Sequence, residues 1–157
     1  MIEGRAAVDP IVLETETDAN PGRAWRAVTD PVEVAKWFAK VTPVDGVGSP
    51  YRIDFGDGSE VEGRVRAFGP GHRVAYTWAW VGEDGGPETL VTWDVEPCDG
   101  AGSRIRLTHS GWSEAGADAE TRDEHAAYWQ EYLAGLAELL DSGGRDDAAG
   151  VAEESQP

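Results

Sequence analysis

Hydrophobic and polar residues alternate along most of the chain between Ser49 and Ser110. Successive side chains of a strand point to opposite faces, so this alternation predicts antiparallel strands with one apolar and one solvated face. Stretches rich in turn-forming residues interrupt the pattern at 56–58, 69–71, 82–87 and 99–102. The region is therefore predicted to form five strands.

The apolar face of these predicted strands is unusually aromatic. Strand by strand it carries Tyr51, Ile53 and Phe55; Val61 and Val65; Val74, Tyr76, Trp78 and Trp80; Val91, Trp93 and Val95; Ile105, Leu107 and His109. The opposite face carries charged residues such as Glu62, Arg64 and Arg106. Such a sheet needs a cover over its apolar side.

Three elements before the sheet follow from local signals. Residues 11–17 are rich in β-branched side chains and predict a first strand. Asn20-Pro21 and Asp30-Pro31 each place a capping residue before a proline, which predicts short helices over 21–29 and 31–38.

A long helix is predicted near the end of the chain. Residues 121–124 form a capping-box pattern, and residues 142–144, Ser-Gly-Gly, form a stop signal. The predicted helix over 122–140 extends about 28 Å, enough to cross a curved sheet. Its apolar stripe consists of Trp129, Leu133, Leu136 and Leu140.

The order of elements predicts an α+β fold in which a curved antiparallel sheet of about six strands wraps around the long C-terminal helix. We expect residues 9–141 to form this domain. Residues 1–8 are expected to be an N-terminal extension, in which residues 2–5 match a factor Xa-type cleavage sequence either as an expression-vector remnant or by chance. Residues 142–157 are expected to be a disordered acidic tail.

Charge and cysteine content restrict the partners and the compartment. The chain has 30 acidic and 13 basic residues and a formal net charge of −17, which repels phosphate backbones and anionic lipid surfaces. We therefore expect neither a nucleic-acid nor a membrane partner. Cys98 is the only cysteine, so no internal disulfide can form, and the sequence favours a cytoplasmic location.

The aromatic face suggests a ligand cavity. Seven tryptophans are present, and several indoles that each need a hydrogen-bond partner often line a cavity, although a plain aromatic core is the alternative. Trp37 and Phe38 either gate its mouth or plug the core. The candidate ligand-binding residues are Trp37, Phe38, Tyr51, Phe55, Trp78, Trp80, Trp93, His109, Trp112, His125, Trp129 and Leu133.

The histidines are the candidate chemical groups. His109 and His125 could anchor a polar atom or form an acid–base pair, but a buried histidine satisfied by one hydrogen bond is commoner. Ser110 follows His109 directly and so points to the other face, which excludes a serine–histidine pair. His72 and Cys98 complete no metal-ligand spacing, and no phosphate-binding glycine loop precedes a helix. We expect no metal and no cofactor.

Three blocks of sequence resemble proteins related to the activator of the heat-shock-protein-90 ATPase. The first runs from Ala24-Trp25-Arg26-Ala27-Val28-Thr29-Asp30-Pro31 to Lys36-Trp37-Phe38. The second comprises residues 92–97 (Thr-Trp-Asp-Val-Glu-Pro) and 104–112 (Arg-Ile-Arg-Leu-Thr-His-Ser-Gly-Trp). The third is His125 with Trp129 and the leucine stripe. The resemblance covers residues 11–140.

The resemblance implies a helix-grip fold of the START-related (SRPBCC, birch-pollen-allergen-like) superfamily, which includes lipid carriers, aromatic polyketide cyclases, self-resistance proteins and chaperone activators. A shared fold does not select among these functions. Our leading hypothesis is a non-catalytic binder of a small apolar or aromatic molecule. The alternatives are a chaperone-ATPase-activator-like interaction module, with a chaperone or another protein as partner, and a cyclase- or hydrolase-like enzyme using His109 and His125. We expect a monomer or a weak homodimer.

Overall fold

The computed structural model describes residues 8–43, 46–82, 88–98 and 100–150, with side chains described up to residue 141. The predicted α+β order is confirmed. The elements are β1 (Ile11–Thr17), α1 (Pro21–Thr29), α2 (Pro31–Val34), β2 (Lys40–Val41), β3 (Pro50–Asp54), β4 (Glu60–Gly69), β5 (Arg73–Trp80), β6 (Thr89–Pro97), β7 (Ser103–Ser110) and α3 (Ala119–Gly150).

The strands form one antiparallel sheet in the order β1-β7-β6-β5-β4-β3-β2. It has seven strands rather than about six, because the two residues of β2 are too few to show an alternating pattern. The predicted apolar face is the concave face that α3 covers, and Val91, Ile105 and Leu107 there are fully buried. On the outer face, Arg106 Nε donates to Glu14 Oε2 at 2.6 Å. The predicted separation into a buried and a solvated face is confirmed.

A close approach between β4 and β5 bends the sheet. The pairing register shifts between Val65 and Ala67, which marks a β-bulge. Near this shift, a Cβ on Gly63 would lie 2.1 Å from the carbonyl oxygen of Thr77, so the backbone contact requires glycine. The hydroxyl of Tyr51 donates to that same carbonyl oxygen.

The second short helix is shorter than predicted. Asp30 caps it as expected, since its Oδ1 accepts from Val32 N at 3.0 Å, but α2 ends at Val34 rather than near residue 38. The chain then turns, with Lys36 N donating to Glu33 O at 3.0 Å. This turn brings Trp37 against the sheet.

The long helix begins earlier and ends later than predicted. Asp118 is its cap, because its Oδ1 accepts from Thr121 N at 2.9 Å. The capping box that we predicted from Thr121 is therefore wrong. The predicted stop at residues 142–144 is not observed either, since α3 continues to Gly150. Residues 1–7 and 151–157 lie outside the described residues, so the proposed extension, domain bounds and tail stay predictions.

The apolar stripe of α3 closes the core. Trp129, Leu133, Leu136 and Leu140 are all buried, as predicted from their spacing. Thr17 Oγ1 ties β1 to the helix by donating to Asp141 Oδ1 at 2.9 Å. No helix in the described part of the chain is both long enough and apolar enough to cross a bilayer.

Candidate functional site

A cavity of about 710 Å³ lies between α3 and the sheet, near strands β5 and β6. This volume is within the range of small-molecule sites, about 300–1,000 Å³. Its buried or half-buried lining residues are Phe38, Phe55, Ser59, Trp78, Trp80, Thr89, Trp112, Ala117, Thr121, His125, Trp129 and Tyr132. The exposed lining residues, which we call the mouth, are Asp57, Gly116, Asp118, Glu124 and Tyr128.

Aromatic rings pack around Trp78, a residue of β5. Its ring centroid lies 5.3 Å from that of Trp129 and 5.8 Å from that of Trp80. Phe38 stacks on Trp129 from the other side at 5.3 Å and meets the edge of Tyr132 at 4.7 Å. The cavity is thus bounded by flat apolar surfaces from both the sheet and the helix.

His109 forms the polar base of this cluster. The indole nitrogen of Trp129 can only donate, and it donates to His109 Nδ1 at 3.0 Å. His109 Nε2 therefore carries the proton and donates to Thr89 Oγ1 at 2.6 Å. Burial, reinforced by nearby His125, lowers the pKa of His109 to about 2. His109 is thus neutral, with both nitrogens engaged.

His125 is held in one tautomer in the same way. Its Nδ1 lies 2.9 Å from the carbonyl oxygen of Thr121, which can only accept, so Nδ1 is the donor. Its Nε2 then accepts from Trp80 Nε1 at 3.1 Å. Although the two histidine rings lie 5.5 Å apart, neither offers a free nitrogen to the cavity. They cannot act as an acid–base pair without first breaking these bonds.

The structure brings seven of the predicted site residues to the cavity: Phe38, Phe55, Trp78, Trp80, Trp112, His125 and Trp129. Trp112 lies beside the base of the cluster, because its ring is 4.3 Å from that of His109 and its indole donates to His109 O at 2.9 Å. The other five predicted residues, Trp37, Tyr51, Trp93, His109 and Leu133, do not line it.

Four of these five residues are held outside the lining by hydrogen bonds of their side chains, and the fifth, Leu133, is buried on α3. Trp37 donates to Ala27 O at 2.7 Å, and Trp93 donates to Tyr76 Oη at 2.9 Å. Trp37 is therefore placed as a plug of the core, whereas its neighbour Phe38 is placed in the cavity wall.

Several lining residues were missed by the sequence analysis. Thr89 pairs with Trp78 across the sheet. It lies two positions before Val91 on the same strand and so faces the same side of the sheet, which the alternating pattern could have predicted. Tyr132 lies three positions after Trp129, on the same side of α3, and helical spacing could have identified it. Asp57 and Asp118 come from turns, where no periodicity predicts direction.

One buried donor in the cavity wall is left unsatisfied. The four buried tryptophans are Trp78, Trp93, Trp112 and Trp129, and three of them donate a hydrogen bond. The indole nitrogen of Trp78 is buried without a partner among the described residues. Leaving a buried donor unpaired costs about 1–3 kcal/mol, which makes this position a candidate contact for a ligand.

The mouth of the cavity is negatively charged. Asp57 accepts from the hydroxyl and the backbone N–H of Ser59 at 2.5 and 2.9 Å, and these bonds lower the pKa of its carboxyl. The bonds from Thr121 likewise lower the pKa of Asp118. Burial and then the charge of Asp57 raise the pKa of Tyr132. No lysine or arginine is among the described lining residues.

Other sites are less suited to an apolar ligand. A cavity of about 420 Å³ near Thr17 and Asp141 has mostly polar and charged walls, and one of about 710 Å³ on the outer sheet face is lined by Arg52, Arg64 and Arg66. Within the described ranges, no group of three or more histidine, cysteine or acidic side chains could hold a metal ion.

Comparison with known proteins identifies the family. The family model for "Activator of Hsp90 ATPase homolog 1-like protein" matches residues 18–141. The chain belongs to this family. The resemblance predicted from the three sequence blocks is thereby confirmed. No protein of curated function matches the chain.

Solved structures share the fold. DynU16, a protein of the dynemicin biosynthetic locus, matches with a TM-score of 0.77 at 28% identity, over 87% of this chain and 49% of that one. The chain thus spans about half the length of DynU16. The AHSA1 protein from Silicibacter pomeroyi matches with a TM-score of 0.69 at 26% identity, over 84% and 97%. The Aha1 dimer from Colwellia psychrerythraea matches at 0.71 and 20%, over 85% and 97%.

Proposed function

We propose that the protein binds a small apolar or aromatic molecule in the cavity between α3 and the sheet, without catalysing a reaction. The observation that carries this proposal is a cavity of about 710 Å³ walled by indole rings, among them Trp78, Trp80 and Trp129. An aromatic molecule would gain contact with these rings from both sides. The similarity to DynU16, a protein of a biosynthetic locus, supports a small-molecule role.

Binding is tested with N-phenyl-1-naphthylamine, a neutral probe whose fluorescence rises in apolar surroundings. Ala117 lines the cavity with a small side chain, so Ala117→Phe fills part of the space. We expect the variant to bind at least about ten-fold more weakly, as for loss of most of an apolar contact surface. Ala127→Phe adds the same group at an exposed position of α3 and should bind normally. Equal binding by Ala117→Phe, or none by the unmodified protein, contradicts the proposal.

The histidine arrangement gives little support to the enzyme alternative. Both nitrogens of His109 and of His125 are engaged in hydrogen bonds, so neither is placed to accept a proton from a bound molecule. The test is turnover of a candidate cyclase or esterase substrate by the unmodified protein and by His125→Gln. Turnover that this substitution abolishes would revive the alternative.

Family membership favours a second candidate function, an interaction module that stimulates a chaperone ATPase. The measurement is the ATPase rate of an Hsp90-type chaperone with and without the protein. An unchanged rate at saturating protein rejects this candidate. We also propose a cytoplasmic location. The protein is proposed to be a monomer or a weak homodimer, and sedimentation equilibrium measures this oligomeric state. The solved dimer of a relative supports the homodimer.

A further inference from the structure

The cavity changes in character from inside to outside. Its inner wall is aromatic and buried, with Trp78 and Trp129 at 4% and 2% exposure. Three carboxylates stand at its mouth, those of Asp57, Asp118 and Glu124, and all three residues are exposed. A ligand that fits this space therefore has a flat apolar part and a second part that meets negative charge.

One tyrosine belongs to the mouth, and a second lies next to it in the lining. Tyr128 is 64% exposed and lines the cavity, and Tyr132 lies one helical turn further along α3. The faces of aromatic rings attract cations at distances up to about 6 Å. The mouth thus presents two kinds of group, carboxylates and tyrosine rings, that stabilise a positive charge.

No lysine or arginine among the described lining residues offers a positive charge to an anion. His125 is the only histidine among the described lining residues, and its Nε2 accepts the N–H of Trp80. The formal net charge of −17 adds long-range repulsion of anions and attraction of cations.

The inner end of the cavity has an unpaired hydrogen-bond donor. The buried indole N–H of Trp78 has no described partner, although Trp78 lines the cavity. A ligand with a hydrogen-bond acceptor on its aromatic part would satisfy this donor. This observation is independent of the carboxylates, and it indicates that the cavity receives a molecule.

We propose that the ligand is an aromatic molecule that carries a protonated amine, with its ring system among Trp78, Trp80 and Trp129 and its ammonium group at the mouth beside Asp57, Asp118 and Glu124. This inference rests on the proposed binding function and specifies its ligand class.

Three probes of nearly equal size separate charge from shape: 1-naphthylmethylamine, which is a cation at pH 7, neutral 1-naphthylmethanol, and the anion 1-naphthoate. Affinities are measured by displacement of N-phenyl-1-naphthylamine at low and high salt. At low salt we expect the amine to bind at least about five-fold more tightly than the alcohol. Each exposed charge pair contributes a factor of a few to the binding constant. The advantage should shrink with salt, and the anion should bind weakest.

The source of the preference is tested by neutralising the mouth. The mouth variant combines Asp57→Asn, Asp118→Asn and Glu124→Gln. Asparagine keeps a side-chain oxygen that can accept the hydrogen bonds of the turn at position 57 and of the helix cap at position 118. We expect this triple variant to lose most of the amine's advantage over the alcohol, leaving only the part that comes from the net charge of the rest of the chain. A control triple variant, Glu62→Gln, Glu96→Gln and Glu138→Gln, removes three exposed charges away from the cavity and should keep most of the preference.

The outcomes distinguish the two proposals. An amine that binds no tighter than the alcohol overturns the ligand class, including the case in which neither displaces the neutral probe. A preference that falls no further in the mouth variant than in the control variant also overturns it. Failure of the neutral probe itself to bind instead rejects the proposed binding function.

Discussion

Trp129 of α3 donates its indole N–H to Nδ1 of His109 in β7 at 3.0 Å, and this bond joins the covering helix to the sheet at the base of the cavity. Both side chains are buried, with exposures of 2% and 0%. The bond fixes the imidazole tautomer, and the tautomer in turn fixes the donor to Thr89. The position of α3 and the tautomer of His109 in β7 are therefore coupled through this one hydrogen bond.

This coupling predicts non-additive effects on stability. Trp129→Phe leaves His109 Nδ1 buried without a donor, and His109→Leu leaves the Trp129 N–H without an acceptor. Each single change should lower the free energy of unfolding by about 2–4 kcal/mol, from lost packing and an unpaired polar group. The double variant should lose about 1–2 kcal/mol less than the sum, because neither member of the Trp129–His109 bond is then left without its partner. Urea denaturation of the four proteins measures this, and simple additivity would contradict it.

The lowered pKa of His109 predicts a specific pH dependence. The folded protein does not protonate this ring until about pH 2, whereas the unfolded chain does so below about pH 6.5. The contribution of His109 to stability is therefore complete above pH 6.5 and decreases as the pH falls toward 2. The slope approaches about 1.4 kcal/mol per pH unit.

The test compares the slope of stability against pH between 6 and 4 in two variants. His109→Gln removes the titrating ring but keeps an amide, so its slope should be shallower than that of the unmodified protein. His72→Gln, a change at an exposed histidine outside the cavity, is the matched control. An unaltered slope in His109→Gln would show that the ring is not held neutral.

The unpaired indole of Trp78 predicts a difference between two similar substitutions. Trp93→Phe breaks a 2.9 Å hydrogen bond to Tyr76, whereas Trp78→Phe breaks none that the structure describes. Both tryptophans are buried in the same cluster. We expect Trp78→Phe to be less destabilising by about 1–2 kcal/mol, as judged by urea denaturation. Equal losses would mean that the Trp78 N–H has a partner in solution.

The contact between Gly63 and Thr77 predicts opposite outcomes for two glycine substitutions. In Gly63→Ala the new Cβ would lie 2.1 Å from a backbone oxygen, so we expect a loss of about 1–3 kcal/mol or more. A Cβ on Gly135 in α3 would meet no neighbouring atom within 4 Å, and Gly135→Ala should stabilise the protein by about 0.4–1 kcal/mol. Thermal unfolding measures both, and a stable Gly63→Ala would show that the strands separate easily.

The sequence was most informative where a regular period applies. Alternation placed Trp78, Trp80 and Trp93 on the concave face because the strand pleat allows only two directions. It could not rank them by access to the cavity, since Trp93 bonds to Tyr76 and Trp80 reaches across to His125. Such partners depend on tertiary packing, which the alternation of side chains does not encode.

The turns gave weaker predictions because their direction depends on tertiary packing. Thr121 and Asp118 are both acceptable helix caps, and the chain uses the earlier one. Trp37 and Phe38 are adjacent, and the turn after α2 decides which one enters the core. Two of the three carboxylates of the mouth, Asp57 and Asp118, come from such segments, so no periodic pattern in the chain could have placed them beside Glu124 of α3.

The hydrogen bonds inside the cavity are unevenly distributed. The side chains of His109, Thr89 and Trp129 are joined by hydrogen bonds, whereas the side chains of Phe38 and Phe55 make only ring contacts among the interactions described. Phe38 also stacks on Trp129, whereas no described ring pair joins Phe55 to these three residues. Exchanging Phe55 for a side chain of another shape would therefore remodel the space with the least effect on its hydrogen-bonded base. The scaffold is suited to redesign, because a library at that single position could redirect selectivity.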